Sequence, residues 1–301
     1  MRTALLTKER AVFHKKLLTS ILTIDKNGVV SNADSHNRTS LLVAQKIREK
    51  IIDELHNEHL LNEDTIPYTA SQKKLKGQTM GTKFEELVMN YLEATFSRMS
   101  NIRPGKWHFL HLGNQSQIKA SSFSQYEHLA YLSELVKANT KLSTALGNDY
   151  VVAPDVIIYR DLYEDEELNT PIELVDDASA LKADLRKKNG GKPVLHASVS
   201  AKWTMRSDRA QNSRTEALNL IRNRKGNLPH IVVVTGEPAP SRLASLALGT
   251  GDIDCMYHFA LYELVEAVQE LANDDTLNLL TGLIDGKRLK DISDLPLDLS
   301  V

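Results

Sequence analysis

The chain has 301 residues, 42% of them apolar and 25% charged, the make-up of an ordinary globular protein with room for one large domain or two smaller ones. Its single cysteine, Cys255, excludes an internal disulfide and fits a reducing cytoplasm, no segment has the length of a membrane span, and the N-terminal stretch MRTALLTKERAVFHKKLLTSIL carries too many charges for a signal peptide. A net charge of −2 gives composition alone no argument for a nucleic-acid partner.

Apolar residues spaced three and four apart predict helices over 6–23 and 41–60, joined by the loop GVVSNADSHNRTS. GQTMGTKFEELVMNYLEATFSRM opens on glycines and becomes an amphipathic helix, with Phe84, Leu87, Val88, Tyr91, Leu92 and Phe96 as its buried stripe. A strand is expected over 106–113 and a helix over 124–138. From there strand and helix alternate. The strands are DYVVAPDVIIYR (149–160), KPVLHASVSAKW (192–203) and LPHIVVVTGE (228–237), and the helices are 208–224, with Ser207 as N-cap, and 257–271. This order predicts an α/β fold, a mixed central sheet flanked by helices.

In the strand 194–203, period-two alternation assigns Leu195, Ala197, Val199, Ala201 and Trp203 to one face. His196, Ser198, Ser200 and Lys202 fall on the other. Asp155 follows Pro154 and interrupts an apolar run in the neighbouring strand. Glu216 lies two turns into the next helix, on the face of Arg209 and Leu220, and can return to the same corner. Two carboxylates and a lysine are the parts of metal-dependent phosphodiester hydrolysis: the acids hold Mg²⁺ and the lysine stabilises the transition state. Each residue has an ordinary reading as well. Asp155 could end a strand, Lys202 could snorkel at an edge, and Glu216 could face solvent.

Charge is uneven along the chain. Residues 186–225 hold eleven Lys or Arg and only two acids, Asp208 and Glu216, whereas DLYEDEELNTPIELVDD (161–177) reads as a solvated acidic excursion. Within the basic run, Arg206, Asp208 and Arg209 open a helix. Arginine pairs with guanine O6 and N7, and aspartate accepts from cytosine N4, so this cluster suits G·C pairs. An acid among arginines repels phosphate but makes sense as a base reader. The alternative is a local salt-bridge knot that caps the helix. Two other functional readings stand beside a site-specific nuclease: a repair or junction nuclease with the same metal corner, and a DNA-binding protein with no catalysis.

The order APD (153–155), SAK (200–202) and then Glu216 resembles the CCGG family of Type II restriction endonucleases, in the PD-(D/E)xK nuclease superfamily. In that family a serine replaces the acid expected before x-Lys, and a helix glutamate substitutes for it. The resemblance runs from KERAVFHKKLL to DGKRLKDISDLPLDLSV, includes RNRKGNLPHIVVVT, and departs over residues 36–75. It implies one endonuclease domain, with helices and DNA-contacting loops in 1–80 and the catalytic core in 81–301. Asp155, Ser200, Lys202, Glu216 and Glu85 would form the active site, with Asp155 and Glu216 holding two Mg²⁺. Thr82 and Glu85 also fit a capping box at a helix start, which would account for Glu85 without catalysis. The resemblance assigns RSDR to the inner CCGG of double-stranded DNA, Asp34 and Arg242 to an outer G·C pair, and Gln78 to the minor groove. It further implies the site GCCGGC cut after the first G, a 5′-CCGG overhang, a bacterial cytoplasmic location, and a homo-oligomer. A palindromic target requires at least a dimer; the family suggests a tetramer that binds two sites.

Overall fold

The computed structural model describes residues 3–61, 77–112, 120–138, 154–271 and 273–301. Residues 149–153 of an expected strand, and 62–75 of the segment that departs from the family, lie outside them. Three helices come first: α1 (Leu5–Leu18), α2 (Arg38–Asn57) and α3 (Gly77–Phe96). After β1 (Trp107–His111) and α4 (His128–Ala138), the chain alternates through β2 (Val156–Arg160), a short α5 (Asp165–Leu168), β3 (Val194–Lys202), α6 (Ser207–Asn223), β4 (His230–Thr235) and α7 (Pro240–Ala247). It ends with β5 (Cys255–His258), α8 (Leu261–Leu271), α9 (Asp274–Asp285), β6 (Leu289–Asp291) and α10 (Leu295–Asp298).

The six strands form one mixed sheet in sequence order. β1, β2 and β3 pair antiparallel, and β3 to β6 pair parallel. The parallel half needs cover on both faces, which explains why β4 reads HIVVVT, an unbroken apolar run instead of an alternation. The larger core joins α1, α2, α3 and the C-terminal helices to the sheet. A smaller core of Phe123, Tyr126, Leu129, Ala217 and Leu220 seats α4 and α6 against Ile157, Leu195 and Ile231 of the sheet.

β3 carries a one-residue β-bulge. Ile158 pairs with Ala197 but Tyr159 pairs with Leu195, so His196 has no partner of its own. The bulge reverses the phase of the strand before Ala197. Leu195 therefore joins the α6 side, and the His196 ring meets Phe96 at 5.6 Å and Trp107 at 4.6 Å, opposite to the simple alternation. Beyond the bulge the alternation holds: Ala197, Val199 and Ala201 enter the larger core, and Ser200 reaches Ser213 of α6. The expected helix over 257–271 is present as α8 but starts later, at Leu261, because residues 257 and 258 finish a four-residue buried strand, β5. Short apolar runs are compatible with either element, and here pairing with β4 decides. Among the described residues no helix is long and apolar enough to cross a membrane.

Candidate active site

Two backbone hydrogen bonds and two side-chain contacts build the corner at the end of β3. Leu112 N–H donates to the Asp155 carbonyl at 2.9 Å and fixes the entry to β2. One carboxylate oxygen of Asp155, Oδ2, then accepts from Lys202 Nζ at 2.6 Å, Ala201 N at 2.9 Å and Ser200 Oγ at 3.4 Å. Ser200 Oγ also lies 3.0 Å from Ser213 Oγ, which ties the strand to α6. The Lys202 and Asp155 side chains are only 16% and 17% exposed, so water screens this pair less than at an open surface. The PD and SxK residues, 45 and more positions apart, thus meet in one ion pair.

Glu216 is three residues beyond Ser213 and shares its helix face. Burial pushes its carboxyl up to about 7; Lys202 pulls against this, and the charges of Asp155 and Glu85 add to it. Glu85 is likewise raised, first by burial and then by Asp155, while His111 opposes both. Its Oε2 lies 2.7 Å from His111 Nε2, an interaction the sequence reading missed. The capping-box reading of Glu85 does not hold. α3 begins at Gly77, so Thr82 is already inside the helix, where its hydroxyl donates to the Gln78 carbonyl at 3.2 Å. Nor is Ser207 an N-cap: α6 starts at Ser207, and Arg206 is the capping position.

The donor set suits a hard cation. Asp155 and Glu216 offer carboxylate oxygens only, and Mg²⁺ commonly takes one or two protein carboxylates and keeps several waters. Another group of metal-ligating side chains, His14, Glu54 and Glu263, has ligand atoms within 4.8 Å of one another. There Arg10 already serves as the cation. Its guanidinium donates to both Glu263 oxygens at 2.8 and 2.6 Å and to Asp291 at 2.9 Å, and lies 3.6 Å from Glu54.

Next to the corner, a cleft of about 390 Å³ is lined by Asp34, His36, Trp203, Arg206, Arg209 and Arg242, among others. Asp34 and Arg242, 208 residues apart, form a direct carboxylate–guanidinium bond. Asp34 Oδ1 also accepts from His36 N–H at 3.0 Å, so the side chain both shapes its turn and faces the cleft. Arg209 is aimed by Thr204, whose hydroxyl and carbonyl accept from Nη1 at 2.8 and 3.2 Å. Asp208 and Gln78 are exposed in the first turns of α6 and α3, beside this lining.

Part of the basic run has internal partners. Arg186, 1% exposed at its side chain, grips Asp165 through two bonds of 2.6 and 2.7 Å. Lys187 pairs with Glu164 and Lys188 with Asp177. The acidic excursion is therefore the counter-charge of the run's first three cations. Arg214 is also engaged, donating to the Ser245 carbonyl at 2.9 Å and lying 3.7 Å from Asp252.

The NgoMIV restriction enzyme family model matches residues 13–301. The Type II restriction enzyme NgoMIV of Neisseria gonorrhoeae is 49% identical over 298 residues, 99% of each chain. Among solved structures, the Type IIF restriction endonuclease Bse634I with cognate DNA shares 15% identity, with 94% of this chain and 99% of that one covered and a TM-score of 0.34. The PspGI–substrate DNA complex shares 13%, with 98% and 92% covered and a TM-score of 0.32. With nearly half its residues shared along almost its whole length, the chain belongs to the NgoMIV restriction enzyme family of Type II restriction endonucleases.

Proposed function

We propose that this protein cleaves double-stranded DNA at GCCGGC, after the first G, with Mg²⁺ as cofactor, leaving 5′-CCGG overhangs. The observation that carries the reading is continuity: Lys202 ends β3 and Arg206 caps α6, so three residues connect the ion-paired corner to the arginine cleft. Asp155 and Glu216 would hold Mg²⁺, which when bound offsets phosphate charge and lowers the pKa of water. Lys202 carries its ammonium to the phosphoryl group, where developing negative charge is stabilised in a partly sheltered site. Glu85, held by His111, supplies a third carboxylate behind the first two, and Ser200 braces Asp155.

Arg206 and Arg209 read guanine and Asp208 reads cytosine in the inner CCGG; Arg242 and Asp34 do the same for the outer pair, and Gln78 enters the minor groove. An aspartate inside a cationic cleft favours sequence reading over the shape reading of a junction nuclease. A palindrome calls for a two-fold dimer, and family likeness extends this to a tetramer on two sites, in one-domain protomers working in a bacterial cytoplasm. The test is digestion of a sequenced plasmid with Mg²⁺ followed by end mapping. All ends should fall at GCCGGC. Cutting at ACCGGT would remove the outer-pair assignment, and cutting at sites without CCGG would remove the whole reading.

A further inference from the structure

Three residues at the C-terminal end of β4 make bonds that the catalytic and base-reading assignments leave unused. Thr235 Oγ1 donates to the Lys202 carbonyl at 2.8 Å, and Gly236 N–H donates to the same oxygen at 3.1 Å. The Gly236 carbonyl accepts from the buried Asn32 side chain at 2.7 Å, two residues before Asp34. A Cβ at position 236 would come within 2.5 Å of the Trp203 ring, so only glycine allows this approach. Glu237 follows, fully buried. Its Oε2 accepts from Met205 N–H at 2.8 Å, and its Oε1 accepts from Ala239 N–H at 3.1 Å. Arg242 Nη1 lies 3.6 Å from Oε2.

A buried carboxylate is costly unless its charge is met, and here two amides and one guanidinium meet it. Those partners are informative. Met205 immediately precedes Arg206 and the start of α6. Ala239 is the N-cap of α7, which carries Arg242. One side chain therefore holds the segments that present both groups of arginines, and the two residues before it are bonded to the carbonyl of Lys202 at the end of β3.

We infer that Glu237 is a positioning residue that sets the inner readers and the outer reader in one register, so that a G·C error at either position is judged by the same rigid unit. The inference rests on the assignment of Arg206, Arg209 and Arg242 as base readers. Glu237 itself touches neither DNA nor the reacting atoms.

The test compares Glu237→Gln and Arg242→Ala with wild type on three substrates: GCCGGC, a site changed only in the outer pair, and a site changed only in the inner pair. Glutamine keeps the shape but offers one acceptor where two amides donate, and it leaves Arg242 without its buried counter-charge. Discrimination, as the ratio of kcat/KM between cognate and altered sites, should fall at least tenfold at both positions in Glu237→Gln. The cognate kcat at saturating DNA should stay within about threefold of wild type, because the Thr235 and Gly236 bonds to Lys202 remain; a merely destabilised protein would lose active molecules without losing discrimination. Arg242→Ala should lose the outer ratio alone. If Arg242→Ala loses the outer ratio while folded Glu237→Gln keeps either ratio, Glu237 does not couple the readers and the inference falls. If Arg242→Ala keeps the outer ratio, the base-reader assignment of Arg242 falls, and an unchanged inner ratio in Glu237→Gln then rejects the positioning role as well. Should Glu237→Gln fail to fold, hydrogen exchange of wild type decides: the Met205 and Ala239 amides should both be protected, and exchange of either at the rate of an open loop overturns the inference.

Discussion

Glu216→Gln should stabilise the metal-free protein at alkaline pH, although it removes a residue of the proposed site. The Glu216 carboxyl is held at about 7 against an ordinary 4.5, chiefly by burial. At about 1.4 kcal/mol for each tenfold change in proton affinity, the ionised form carries a folding penalty of roughly 3 kcal/mol. The side chain keeps some contact with water, so the observable part is about 1–2 kcal/mol. The sign follows from the raised value. Below pH 4.5 both folded and unfolded chains hold the proton and there is no penalty. As pH rises from 4.5 towards 7 the unfolded chain loses its proton first, so stability falls, and above 7 the loss is complete. Glutamine cannot ionise and escapes this loss. Thermal melts in EDTA should then show Glu216→Gln melting on the order of 2–4 °C above wild type at pH 8 and level with it near pH 4.5. Adding Mg²⁺ at pH 8 should reverse the order, because the cation meets the wild-type carboxylate. A variant that melts below wild type at pH 8 without metal would refute the reasoning, since Glu216 would then be a stabilising ion-pair partner.

Lys202→Ala should abolish cleavage and leave GCCGGC binding within a few-fold, as read by single-turnover cleavage beside a gel-shift titration; loss of binding together with cleavage would make the lysine an anchor for Asp155 instead. Arg209→Ala should lose about 1–3 kcal/mol of discrimination at one G·C position, whereas Lys225→Ala should weaken cognate and random DNA alike, and identical behaviour of the two would reject Arg209 as a reader. Burial lowers His14, His196 and His258 from 6.5 to about 4. The stability these neutral rings contribute is present above pH 6.5 and lost as pH falls towards 4, so melting temperature should drop through that window, and a flat profile there would contradict it.

The meeting of Ser200, Lys202 and the α6 face, at the corner proposed as catalytic, was legible because its parts lie at regular periods. Ser200 and Lys202 are two apart on a strand, and Glu216 sits on the helix that packs over that face. The bulge at His196 was not, because it is set by pairing with β2 and leaves no local mark in VLHASVSAK. His111, Ser213 and Glu237 escaped for a related reason: each acts on a residue 13 to 32 positions away through a contact that only the fold creates. The partners of Arg186, Lys187 and Lys188 had a visible signal in the strongly acidic run 161–177, although composition alone fits solvated chain equally well. Capping at α3 and α6 was misplaced because Thr and Ser can begin a helix or sit just inside it, and only backbone geometry separates the two.

The internal counter-charge on the basic run has a consequence for how the enzyme finds its target. Binding to arbitrary DNA is driven by counterion release, and each phosphate neutralised steepens the logarithmic salt dependence by about 0.9. Arg186 and Arg214 are committed within the protein, and Lys187 and Lys188 must first leave exposed surface pairs, so up to four of the eleven cations in 186–225 are drawn away from that process. The salt slope should then be shallower, by about 2 and at most about 4, than the count of basic residues suggests. Long sliding needs a firm grip on every backbone it meets. A protein with that grip reduced is expected to dissociate sooner between encounters and to sample a chromosome by many short visits, staying only where the grooves match.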